Sequence, residues 1–144
     1  MDFGLEIYAI LNANTANIHW GDIYSKNKHI IPKMMNWDIF TQAANELKKF
    51  PTPIKKVLFS SIGEPLLNKN LPDMVKYVKE MGVTNYCEII TNASLLTHEL
   101  SEKLIDSVLD CLRASIQGVT FRKYQEISQV DLDYENLVNE LSYF

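Results

Sequence analysis

The sequence predicts an α/β fold of the (βα)4 type, a parallel sheet in the form of an open sheet or half-barrel. Three observations lead there. Four short apolar runs, at residues 5–11, 56–60, 86–91 and 111–116, have the length and composition of strands. The segments that follow them carry apolar residues at helical spacing. Strands alternating with helices in one sheet require parallel, right-handed crossovers, and four strands are too few to close a barrel.

The elements follow in order. Residues 5–11 form the first strand, and residues 12–35 form a long polar connection whose length hints at a site. Asn36 can cap a helix with Phe40, Ala43, Ala44 and Leu47 at i, i+3, i+4 and i+7, which Pro51 and Pro53 then break. Lys56–Ser60 is the second strand. Pro72 suits the first turn of a helix burying Met74, Val75, Val78 and Met81 and stopping at Gly82. Tyr86–Thr91 is the third strand. Thr97 can cap a helix with Leu100, Leu104, Ile105 and Val108 inward. Cys111–Ile116 is the fourth strand. After a polar segment, Tyr134–Phe144 forms a last helix with Leu137, Val138 and Leu141 inward.

The 144 residues are 47% hydrophobic and 22% charged, as expected for one soluble domain with a real core. A net charge of -4 and the lack of any basic block argue against nucleic acid. No apolar run approaches the roughly 18 residues of a membrane span. No basic n-region or apolar h-region opens the chain, so a cytoplasmic location is expected. The two cysteines, Cys87 and Cys111, are expected to be reduced and buried.

In such sheets ligands sit at the carboxyl ends of the strands. Three stretches fall there: residues 12–22, 60–67 and 91–96. In the second, backbone groups and Glu64 could hold an ammonium; the plainer reading is a loop in which Gly63 relieves strain and Glu64 is solvated. In the third, Asn92 could bond a sugar hydroxyl or simply its own backbone. On the fourth strand Arg113 and Ser115 share a face, with Ser115 near the strand end as a second sugar contact or a packed small residue. Ser115, His98 and the acids sit on different elements, and no phosphate-binding glycine loop is present. No catalytic residue is therefore assigned.

In order and spacing these stretches resemble the radical S-adenosylmethionine superfamily. FSSIGEPLLNKNLPDMVKYVKEMG resembles its glycine–glutamate motif and the following helix, EIITNASLLT its third-strand motif, and LRASIQGVTFRKYQEISQVDLDYENLVNELSYF its fourth strand and the region beyond. The resemblance covers residues 5–144 and implies the first half of a partial TIM barrel, a single truncated domain over residues 1–144. It also implies that Gly63 and Glu64 hold the amino group of S-adenosylmethionine and that Asn92 and Ser115 face its sugar. Ile62 stands where the family usually has a glycine.

The superfamily's cysteine triplet, which holds its iron–sulfur cluster, lies after the first strand. Laid on this chain, its positions fall on Ala13, Asn17 and Trp20, with Asn14 matching a frequent asparagine. His19, His29 and Asp22 are nearby, but such clusters strongly prefer thiolates. No metal ligand is therefore assigned, and Trp20 is read as a plug of the vacated space. The resemblance thus implies a degenerate, cluster-free member with at most weak S-adenosylmethionine binding. The alternatives are an enzyme or fragment whose cluster is completed by another chain, and a ligand-free interaction or structural half-barrel. The open strand edges imply a homo-oligomer or a second polypeptide completing the barrel.

Overall fold

The computed structural model describes residues 6–10, 34–60, 64–128 and 132–144. The proposed loop positions Ala13, Asn14, Asn17, His19, Trp20, Asp22 and His29, together with Ile62 and Gly63, lie outside the described residues.

Four parallel strands stand side by side in chain order: β1 (Glu6–Ile10), β2 (Lys56–Ser60), β3 (Cys87–Thr91) and β4 (Cys111–Ala114). Helix α1 (Trp37–Lys48) joins β1 to β2 in chain order, α2 (Leu71–Glu80) joins β2 to β3, and α3 (His98–Asp106) joins β3 to β4. Two helices follow β4, namely α4 (Phe121–Ser128) and α5 (Tyr134–Tyr143). This is the α/β arrangement expected, half of a βα barrel.

The caps expected at Asn36 and Thr97 form, their side chains accepting from the backbone N–H groups of Ile39 and Leu100. Asp133, which escaped sequence reasoning, caps α5 in the same way by accepting from Asn136 N. Pro72 lies in the first turn of α2, where its missing N–H costs nothing.

Two helix ends are built alike. After α2, Gly82 takes φ +62° while Gly82 N donates to Lys79 O and Val83 N to Val78 O. After α3, Val108 takes φ +62° while Val108 N donates to Ile105 O and Leu109 N to Leu104 O. Both are the paired-bond helix ending that satisfies the last carbonyls through one left-handed residue. Glycine enters that conformation freely, whereas valine does so at a steric cost.

Strand alternation separates two faces. Val57, Phe59, Cys87 and Ile89 turn toward the helices and pack with Phe40, Ala44, Leu71, Met74, Val75, Val78 and Leu104. The other face carries charge. The Glu88 carboxylate is 3% exposed and lies 3.2 Å from Lys56 Nζ and 2.7 Å from Arg113 Nη2. The Arg113 contact lacks hydrogen-bond alignment and is a charge pairing. One buried carboxylate therefore ties β2, β3 and β4 together.

Several inward assignments are corrected. Ala43, Ile105, Val108 and Val138 are exposed, and Cys111 is only half-buried. Helix α3 stops at Asp106, and its buried positions are Ser101 and Leu104. Helix α5 buries Leu137 and Glu140. Glu140 is held by His98 of α3 at 2.8 Å, and Tyr143 stacks on the His98 ring at 3.9 Å. A polar pair, rather than Val138, thus fixes the way α5 meets α3.

Candidate functional site

The described carboxyl rim of the sheet is assembled around Glu64. This residue precedes a single 3-10 turn, Pro65–Leu67, and caps it by accepting from Leu66 N at 3.0 Å. The same Oε1 accepts from the Thr91 hydroxyl at the end of β3, and Oε2 accepts from Asn92 N at 2.8 Å. Glu64 is 3% exposed. The expectation of a solvated Glu64 is therefore corrected. Its carboxylate has about four acceptor sites, and three donors of this chain already use it.

Thr91 extends the network, because its Oγ1 accepts from Ala93 N at 2.9 Å. Asn92 Oδ1 accepts from Ser94 N at 2.9 Å, the self-capping turn anticipated for this residue. The Asn92 amide NH2 makes no hydrogen bond among the described residues, and the residue is half-buried. Ala93 adopts φ +59° and is buried. Ser115 N donates to Thr91 O at 2.8 Å, so Ser115 stands next to Asn92 across the β3–β4 step, with its side chain exposed.

Glu64, Asn92 and Ser115 are thus gathered on one rim, and Gly63 lies outside the described residues. Two neighbours escaped sequence reasoning. Thr91, rather than Asn92, supplies the side-chain partner of Glu64; its signal was a hydroxyl on the last strand residue. Tyr124 of α4 is 2% exposed and packs with Ala93 and Leu137. Burial, and then the nearby Glu64 charge, push its phenol above the usual range. Chemically, this rim offers an amide, a hydroxyl and backbone groups, which suit hydroxyl-bearing ligands better than proton transfer.

The opposite rim holds both thiols. Cys87 and Cys111 are the first residues of β3 and β4, and both are free. Asp110 Oδ2 accepts from Cys87 N at 2.7 Å and from Lys79 Nζ at 2.6 Å. Burial pushes the Cys87 thiol up to about 12, with Lys79 opposing and Asp110 adding to the shift. The Tyr86 phenol is raised chiefly by its hydrogen bond to Cys111. Among the described residues no three His, Cys, Asp or Glu side chains gather to hold a metal. An iron–sulfur cluster needs three or four thiolates. Two cysteines at the amino-terminal rim, one strongly protonated, do not fit that group.

No family model matches the chain. The tungsten-containing aldehyde ferredoxin oxidoreductase cofactor-modifying protein of Pyrococcus furiosus is 34% identical over 82 residues, 57% of this chain and 22% of its own length. The PqqA peptide cyclase of Bradyrhizobium diazoefficiens is 34% identical over 87 residues, 60% of this chain and 22% of its own. The Fe-coproporphyrin III synthase of Methanosarcina barkeri is 33% identical over 75 residues, 52% of this chain and 18% of its own. These relatives support the radical S-adenosylmethionine superfamily. The chain spans about a fifth of the length of these relatives. S-adenosylmethionine and an iron–sulfur cluster are the cofactors that the superfamily implies. No helix among the described residues is long and apolar enough to cross a membrane.

Proposed function

We propose that this chain is a radical S-adenosylmethionine-related βα domain that carries no cluster of its own, performs no radical chemistry, and keeps a weak site for the sugar side of S-adenosylmethionine. The observation that supports it best is the thiol inventory. The chain has two cysteines, and both begin strands at the rim opposite Glu64, Asn92 and Ser115. When bound in the superfamily, the cluster supplies the electron that cleaves S-adenosylmethionine; here no three-thiolate set is at hand to hold it. The role of this chain's residues is confined to binding, with the Asn92 amide and the Ser115 hydroxyl as donors to the ribose.

Two measurements test the reading. Anaerobic reconstitution with iron and sulfide is expected to leave the protein colourless and free of bound iron; a stoichiometric cluster overturns the proposal. Calorimetric titration with S-adenosylmethionine is expected to show weak, saturable binding that loses about fivefold in Asn92→Ala, the scale of one hydrogen bond. A second reading, a ligand-free interaction domain, is favoured by one observation: the Glu64 carboxylate is already occupied by Leu66, Thr91 and Asn92. Absence of any heat with S-adenosylmethionine would select it.

A further inference from the structure

The outer surface carries a groove of about 480 Å³ between α1 and α2, lined by Trp37, Asn70, Asp73, Lys76, Tyr77 and Glu80. That volume is within the range of small-ligand sites, roughly 300–1,000 Å³. Its floor is aromatic. Trp37 meets Tyr77 edge to face, with centroids 5.6 Å apart, and Phe40 lies behind both at 5.7 Å from Trp37 and 6.0 Å from Tyr77. Tyr77 is tethered to α1, its hydroxyl donating to Asn45 Oδ1 at 3.3 Å. The rings are therefore held in place, while Trp37 remains 36% exposed.

Its wall is acidic. Asp73, Lys76, Tyr77 and Glu80 follow one another at i, i+3, i+4 and i+7 along one face of α2. Asp73 makes no hydrogen bond or ion pair among the described residues. Glu80 meets Lys76 only at 4.0 Å, with both side chains more than half exposed. Two carboxylates against one lysine leave a net negative groove beside two partly exposed rings.

We propose that this groove binds an organic cation, a guanidinium or alkylammonium group, resting on Trp37 and Tyr77 and paired with Asp73. A ring face attracts a cation, and a neighbouring carboxylate adds to that attraction. An anion would face two carboxylates, and a neutral apolar group would strip water from Asp73 without replacing it. The source of the cation is either a free small molecule or an arginine or lysine side chain of a peptide.

The test is a fluorescence titration of the full chain in a Trp20→Phe background, where Trp37 is the sole indole. The probes are N-acetyl-arginine amide, a capped Arg-Ala-Ala-Arg tetrapeptide and, as control, N-acetyl-glutamate amide. Saturable quenching by the arginine probes is expected, weakened about fivefold by Asp73→Asn, the scale of a partly exposed ion pair. Tighter binding of the tetrapeptide than of the single amide identifies a peptide source, whereas equal binding identifies a free small cation. The proposal is overturned if neither arginine probe saturates, if the glutamate amide quenches equally, or if Asp73→Asn leaves the titration unchanged. Circular dichroism of Asp73→Asn is expected to match the parent, because this exposed carboxylate makes no hydrogen bond or ion pair among the described residues.

Discussion

Removing Glu64 should cost the fold as well as any ligand. The carboxylate takes hydrogen bonds from Leu66, Thr91 and Asn92 in a site 3% exposed. Truncation strands those donors, so Glu64→Ala is expected to lose about 2–4 kcal/mol in urea denaturation. Loss of S-adenosylmethionine binding in that variant is therefore ambiguous, and Asn92→Ala is the cleaner probe. Cys87 makes a pH prediction. Its thiol is raised from an ordinary 9.0 to about 12 by burial. The folded state thus holds a proton that the unfolded chain releases above about pH 9. This contribution to stability is intact below pH 9 and is lost as pH rises toward 12. Unfolding free energy is expected to fall by about 1–2 kcal/mol between pH 8 and pH 10, and less in Cys87→Ala. At neutral pH, iodoacetamide should modify half-buried Cys111 before Cys87.

The helix endings carry predictions of their own. Val108 occupies the left-handed position that Gly82 fills after α2, and it is 63% exposed, with little packing to lose. Val108→Gly is expected to raise the melting temperature, with a gain of about 1 kcal/mol. Gly118 behaves oppositely: an added Cβ would sit 2.6 Å from Tyr124 N and 2.8 Å from Lys123 C, both backbone atoms. Gly118→Ala is expected to cost about 1–3 kcal/mol and to loosen α4 in amide exchange. These sites also show what was legible in the sequence. Strand β2, the caps Asn36 and Thr97, and Pro72 were readable because each depends on neighbours a few residues away. Helix α4 was missed because its buried positions, Tyr124 and Ser128, give too little apolar periodicity. Ile105 and Val138 were assigned inward by periodicity, but α3 and α5 meet through His98, Glu140 and Tyr143 instead. At the rim, Glu64 and Asn92 were visible as motif residues, whereas their mutual hydrogen bond joins positions 28 residues apart and no local pattern reports it.

For the whole molecule, the partner expectation stands as a proposal. Static light scattering is expected to give a mass above the 16.6 kDa of one chain, and a well-folded monomer at high concentration would defeat it. The cross-strand charges bear on a different property. Arg113 is 63% exposed on β4, which ends the described sheet, while its guanidinium answers the buried Glu88 carboxylate. A strand at the side of a sheet is a template for fibril growth when it is long, flat and apolar. Strand β4 has only four residues and displays a charge in its middle. Arg113 therefore guards against amyloid-type stacking while it balances Glu88, so one substitution should expose both duties. Arg113→Val is expected to shorten the lag before thioflavin-positive fibrils appear, and Arg113→Lys to leave that lag close to the parent's.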